Sequence, residues 1–329
     1  MSESLKRWLM LGARALVSAA LIFYLFHMVE WPRVKSVLAA SNRLLLLVAI
    51  PMSLFAIGCM ALRWRLLLRR NGVAAGALRL FGFYLVGGFF NIFLPGVIGG
   101  DVARMACCAK ESGARLTTAT GIVLMERVCG LVALFAVGGV MSYLVAEAQW
   151  TRLGASLVPL FRLTALLLVL FFFGLWFFGK WARAQLAGRP GWLHERLHTV
   201  LSAIASVDLA TLALVLMLSA LAQALDLLAA FVIARALGIE VPLGLFFIII
   251  PISYLVTLLP ISLGGLGVRE GIFSYLLTRL GVLASDAVTL AFLIYLLRVI
   301  VGLTGGVWYL FSREPSASPG LAVKQKEEA

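Results

Sequence analysis

The chain is 329 residues long, 62% hydrophobic and 13% charged, with a formal net charge of +13 and a mean hydropathy of +1.03. That composition lies far outside the range of water-soluble globular proteins and places the chain in a membrane. Its basic excess sits in short loops between apolar runs instead of on one solvated face, which sets nucleic acid aside as a partner.

A hydrocarbon core of ~30 Å takes about 20 apolar residues of helix, and six runs reach that length. The first, 9–28, has a basic flank in Lys6, Arg7 and Arg14. Its small-residue stretch, Val17-Ser18-Ala19, comes too early for a cleavage site, so the run reads as a retained span and not as a signal peptide. A second span covers 43–62. The apolar run 78–94 then stops at Leu94-Pro95-Gly96, and a short amphipathic stretch, 101–113, follows it. This pair reads as a helix broken inside the membrane. Spans at 118–146 and 156–179 come next, then an amphipathic interfacial segment, 182–206, and a span at 208–237. A second broken pair joins the run 244–259 to an amphipathic stretch, 266–280, before the last span, 286–311. The Ser-, Pro- and charge-rich end, 316–329, reads as a disordered tail. Cys59 and Cys129 fall inside spans, Cys107 and Cys108 are adjacent, and no CxxC spacing occurs. Neither a disulfide framework nor a cysteine metal site is indicated.

The two breaks are related. "LPGVIGGDVAR", Leu94 to Arg104, aligns with "LPISLGGLGVR", Leu259 to Arg269, at a constant offset of 165, with Leu-Pro, Gly-Gly and the final Arg coinciding. Each is followed by a long span carrying an internal arginine, Arg127 or Arg298. The chain divides into two halves, 1–150 and 151–315, each with three spans and one broken pair. Three crossings is an odd number, so the second half enters the membrane inverted. The expected fold is an all-α polytopic membrane protein of two inverted repeats, each three transmembrane helices plus one broken, re-entrant pair. With the N-terminus cytoplasmic, loops on that side carry 17 Lys/Arg and the opposite loops 7. The positive-inside bias therefore puts both termini in the cytoplasm.

Broken backbone at membrane depth leaves N–H and C=O groups unpaired and is tolerated only where protein or a wet cavity surrounds it. Gly99, Gly100, Gly264, Gly265 and Gly267 permit close backbone approach, the prolines end the incoming helices, and a helix starting near Gly100-Asp101 presents its N–H groups to an anion. Arg104 and Arg269 stand one turn into the two short helices. An arginine in a span costs from about 2.5 kcal/mol upward, so it pairs or lines a pathway. On the local reading Arg104 pairs with Asp101 at i, i+3 and Arg269 with Glu270 or a backbone carbonyl. On the sharper reading both guanidinium forks converge on one phosphate. Glu126 and Arg127 are adjacent and diverge on a helix, so each needs its own partner; Glu126 is placed to answer an arginine of the broken pair. Asp226, with Gln223 one turn before it, and Arg298 are further intramembrane polar groups, readable as an ion pair or as part of a path. Asn91 is positioned to cap freed backbone at the first break.

"HERLH", His194 to His198, fits the H-E-x-x-H zinc-peptidase pattern. Its surroundings place Trp192, Leu193, Leu197, Val200, Leu201 and Ile204 on one face, as an interfacial helix has. The glycine clusters lack the Gly-Lys-Ser/Thr of a nucleotide-phosphate loop, which argues against ATP hydrolysis.

"NIFLPGVIGGDVAR", with "MER" some twenty residues on, and "LPISLGGLGVREG" in the second half resemble the flippase-like membrane domain family, also called the lysylphosphatidylglycerol synthase transmembrane region or UPF0104, over about residues 8–312. In relatives this domain moves aminoacylated phosphatidylglycerol between leaflets and is fused to a cytosolic synthase domain. Without that domain, the resemblance implies a stand-alone lipid-handling membrane protein. The expectation is a transporter of the bacterial cytoplasmic membrane, not an enzyme and without metal or cofactor, that passes the phosphate-bearing headgroup of an anionic membrane lipid across the bilayer. An undecaprenyl-phosphate-type or hopanoid-linked carrier lipid is the second possibility, and an intramembrane zinc peptidase built on His194, Glu195 and His198 the reading from another class. Substrate contact is expected at Asn91, Gly99, Gly100, Asp101, Arg104, Glu126, Arg127, Gly264, Gly265, Gly267, Arg269, Glu270 and Arg298, with Asp101, Glu126 and Glu270 holding the arginines when the site is empty.

Overall fold

The computed structural model describes residues 31–93, 99–112, 116–145, 152–154, 156–186, 207–257 and 267–311. The expected first span, the "HERLH" stretch, Gly264, Gly265 and the tail lie outside the described residues. Regular structure among the described residues is helical: α1 (Trp31–Ala40), α2 (Arg43–Arg70), α3 (Ala77–Phe93), α4 (Gly99–Ser112), α5 (Leu116–Met141), α6 (Leu157–Leu186), α7 (Leu209–Ala236), α8 (Leu243–Thr257), α9 (Val268–Arg279) and α10 (Ala284–Phe311), with a single 3-10 turn, Ser142–Leu144, after α5. Helices α2, α5, α6, α7 and α10 are long and apolar enough to cross a membrane, whereas α3 and α8 are shorter apolar helices. Along the chain, α3 is followed by the short helix α4, and α8 by the short helix α9.

Two boundaries move. Helix α2 continues past residue 62 to Arg70, because Arg63, Arg65, Arg69 and Arg70 are good helix formers and Arg63 finds buried partners described below. Helix α6 runs to Leu186, so the start of the expected interfacial segment belongs to a spanning helix; 187–206 lie outside the described residues.

The local stops are the same in both halves. After α2, Gly72 takes φ 76°, its N–H donates to Arg69 O, and the Val73 N–H donates to Leu68 O. After α7, Gly238 takes φ 74°, its N–H donates to Arg235 O, and the Ile239 N–H donates to Ala234 O. A left-handed residue at this place is the penalty-free use of glycine, and the paired bonds satisfy the last carbonyls. The two glycines are 166 residues apart, as are the starts of α3 at Ala77 and α8 at Leu243.

Packing follows from small residues. Ala49, Ser53 and Ala56 form a buried stripe on α2 against α7, where close backbone approach replaces the missing hydrophobic drive between helices in lipid. The Asn42 N–H donates to Ala236 O at 2.9 Å, and Arg70 Nη2 meets Asp208 Oδ1 at 2.8 Å, so α2 and α7 run antiparallel from end to end. At the water-facing start of α7, a hydrogen bond from the Thr211 side chain and then the Arg70 charge hold the Asp208 carboxyl below the usual carboxylate range. Helix α10 packs antiparallel on α3, with Gly302 against Gly88, Gly305 against the Leu85 carbonyl and Trp308 against Gly82. In the other pair, α5 meets α8 with Gly138 against the Phe247 carbonyl and Val145 against Gly244. The short apolar helix α3 therefore packs on the long α10, and the short apolar helix α8 on the long α5. Phe246, Phe135, Phe161 and Ile248 lie in the larger core, while Phe171, Phe177, Leu310 and Phe311 point outward, as a lipid-facing surface would have them.

Candidate functional site

The first cluster is assembled where the start of α4 lies against the end of α3. Gly100 lies so close to Gly87 and Asn91 that a Cβ there would collide with the Gly87 carbonyl and the Asn91 amide. Asn91 Oδ1 accepts from the Gly100 N–H at 2.8 Å, so one amide freed by the helix start is capped from across the break. This approach lays α4 against α3 and carries Arg104 inward to 4% exposure.

Arg104 Nε donates to Asp101 Oδ1 at 2.9 Å, and its Nη1 donates to Glu126 Oε2 at 2.8 Å. Its guanidinium lies 4.3 Å from the Tyr84 ring centroid and 4.9 Å from that of Trp64, a placement that adds cation–π attraction in a desolvated site. Glu126 also accepts from the Tyr84 hydroxyl at 2.6 Å and from Arg63 Nε at 3.3 Å. The Arg63 Nη1 donates in turn to Ser219 Oγ on α7 at 3.0 Å. Arg127, turned away from Glu126 on the same helix, pairs with Asp101. Three arginines and two carboxylates thus hold each other in the first half, with α2, α3, α4, α5 and α7 all contributing.

The second cluster lines a cavity of about 40 Å³ between α7, α8, α9 and α10, room for a few waters or one small polar group. Arg269 is bound to its neighbour Glu270 through Nε at 2.9 Å and through Nη2. The other Glu270 oxygen accepts from the Gly267 N–H at 2.9 Å, where Gly267 takes φ 80° to start α9. Arg298 Nη2 stands 4.0 Å from Asp226 Oδ2, with the two side chains 33% and 37% exposed. Both guanidinium groups approach the Tyr254 ring, Arg298 at 5.1 Å and Arg269 at 5.9 Å. This pairing is looser than that of the first cluster, since an N···O separation of 4.0 Å is beyond hydrogen-bond range.

One helix connects the two. Ser219, Gln223 and Asp226 are spaced i, i+4, i+7 and share a face of α7. Ser219 meets Arg63, Gln223 donates to the Gly130 carbonyl of α5 at 3.2 Å, and Asp226 meets Arg298. The arrangement reverses sign between halves: in the first, α2 supplies the arginine and α5 the glutamate, whereas in the second, α7 supplies the aspartate and α10 the arginine.

Of the two arginines expected to share a phosphate, Arg104 is enclosed by Asp101, Glu126, Tyr84 and Trp64, and Arg269 lines the second cavity together with Arg298. Asp101, Glu126 and Arg127 fall in the first cluster, Gly267, Glu270 and Arg298 in or beside the second, and Asn91, Gly99 and Gly100 near the facing ends of α3 and α4. Sequence reasoning missed Arg63, Tyr84, Trp64 and Ser219. Arg63 carried a signal: it continues the Ala49, Ser53, Ala56 stripe at helical spacing. Tyr84 carried none, being one aromatic among many in an apolar helix.

Five helices long and apolar enough to cross a membrane, with charge clusters set among them, define a multi-pass membrane protein. The family model for the lysylphosphatidylglycerol synthase TM region matches residues 12–306, and the chain belongs to that family, which makes it a lipid-related membrane protein. No curated protein matches the sequence.

Proposed function

We propose that the protein moves the phosphate-bearing headgroup of an anionic lipid between the leaflets of the bacterial cytoplasmic membrane while the tails stay in hydrocarbon. It does so as a transporter and not as an enzyme, with both termini cytoplasmic and with its halves related by a two-fold axis in the membrane plane. The antiparallel α2–α7 pair, the shared Gly72 and Gly238 stops and the exchanged α3–α10 and α8–α5 contacts support that inversion, since such an axis turns equivalent helices head to tail.

The observation that carries the reading is the second-half cavity. Arg269 and Arg298 come to it from different helices, α9 and α10, and planar guanidinium forks suit bidentate phosphate recognition. The first cluster, closed on itself, acts as the strut that fixes α4 and α5 while the cavity takes cargo. Mass spectrometry of lipids retained by the gently purified protein tests this. Enrichment of a phosphate-bearing lipid, lost in both Arg269→Gln and Arg298→Gln, is the expected result, and a polyprenyl phosphate in that spectrum would select the carrier-lipid form of the proposal. A bound-lipid profile equal to the bulk membrane in all three proteins would defeat it.

A further inference from the structure

Charge balance in the cavity reaches further. Arg269 and Arg298 contribute two positive charges, and Asp226 and Glu270 two negative ones, so the cavity as built is neutral. An anionic headgroup brought among them leaves an uncompensated negative charge beside two carboxylates, and like charges at this range oppose one another unless a counter-charge comes with the headgroup.

The two carboxylates are not equivalent. Both Glu270 oxygens are engaged, one by Arg269 and one by the Gly267 N–H. Asp226 has Arg298 at 4.0 Å as its ion-pair partner among the described residues, and its side chain is more than a third exposed. A phosphate that engages Arg298 takes that partner away. The charged or titratable groups that face Asp226 in the cavity are Arg298 from α10, Arg269 and Glu270 from α9, and Tyr254 from α8. On α7 itself its neighbour one turn back is the neutral Gln223, and the Arg63–Glu126 pair of α2 and α5 meets α7 at Ser219, about two turns away.

Resting on the reading of this cavity as the headgroup site, we propose that an anionic phosphodiester headgroup enters with one proton, and that Asp226 is the residue that takes it. In the step, the phosphodiester monoanion displaces the Asp226 carboxylate from Arg298, and a proton from water adds to one Asp226 oxygen to give the neutral acid. No covalent bond of the lipid changes, and the cavity returns to zero net charge. On release the proton leaves and Asp226 returns to Arg298, so transport of each lipid charge is tied to one proton moving in the same direction.

The test uses the full chain in nanodiscs of phosphatidylcholine, titrated calorimetrically with short-chain phosphatidylglycerol in two buffers of different ionisation enthalpy. The expected result is uptake of about one proton per lipid bound and an affinity that falls up to tenfold for each unit rise in pH. In Asp226→Asn, which stays neutral at every pH, uptake should vanish and the affinity should become flat with pH. In Asp226→Glu, uptake should return, which separates loss of the acceptor from misfolding. Binding with no proton uptake in the wild type, or uptake that persists in Asp226→Asn, overturns the proton linkage and leaves the headgroup site standing. Absence of any phosphatidylglycerol binding overturns both.

Discussion

Removing the Glu126 side chain is the sharpest perturbation the first cluster offers. Its carboxylate, 1% exposed, accepts from Arg104, Arg63 and the Tyr84 hydroxyl. Glu126→Ala leaves three buried donors short of an acceptor, and breaking a buried ion pair from one side costs about 3–5 kcal/mol. Arg104 keeps Asp101 and Arg63 keeps Ser219, so the lower end, about 3 kcal/mol, applies. At roughly 2 °C per kcal/mol, the low end for long chains because the shift shrinks as the unfolding entropy grows, the melting temperature should fall by roughly 6 °C. Glu126→Gln retains one acceptor oxygen and should lose about half as much. Reaction of the buried thiols Cys59, Cys108 and Cys129 with a fluorogenic maleimide during heating in detergent reports the transition. A melting temperature for Glu126→Ala within about 2 °C of wild type, less than about 1 kcal/mol, would refute the view that this carboxylate holds the first half together.

Gly305→Ala should sharply reduce folded yield, because its methyl would overlap the Leu85 backbone carbonyl across the α3–α10 contact, whereas Gly174→Ala, with nothing near its Cβ, should be neutral; size-exclusion profiles compare them. On a background free of native cysteines, Asn42→Cys with Ala236→Cys should form an oxidative cross-link, since their backbones are hydrogen-bonded, and failure to cross-link would remove the antiparallel α2–α7 pair. Asn91→Ala deprives the Gly100 N–H of its acceptor and should cost about 1 kcal/mol, as loss of a helix N-terminal partner does, visible as a drop of roughly 2 °C in the same thermal assay.

Hydropathy and punctuation made the helices legible. Runs of apolar residues marked α2, α5, α6, α7 and α10, and the glycine pair after the first apolar run marked the close backbone approach seen at Gly100. The local pair Arg104–Asp101 and the tie from Glu126 to Arg104 were readable from spacing and from the cost of an unpaired intramembrane charge. The division into two separate clusters was not. Arg63 looked like one more basic residue of a cytoplasmic flank, because a hydropathy window ends at the first arginine, whereas the helix continues and buries that arginine against Glu126 and Ser219. Which arginine shares a cavity with Arg269 depends on where α7 and α10 cross, and no sequence period encodes that crossing. Asp226 and Arg298 stood out singly as polar residues in spans, and only the α7–α10 packing joined them.

The central claim, movement of a lipid headgroup through the second-half cavity, is tested most directly in proteoliposomes that carry phosphatidylglycerol fluorescently labelled on its acyl chain beside the headgroup, with dithionite added outside to bleach the outer leaflet. Wild-type protein should carry bleaching well past the outer-leaflet fraction, while Arg298→Gln, folded by the thermal assay, should stop near that of protein-free vesicles. Bleaching by wild type that stops at the outer leaflet, or Arg298→Gln as active as wild type, would contradict the account.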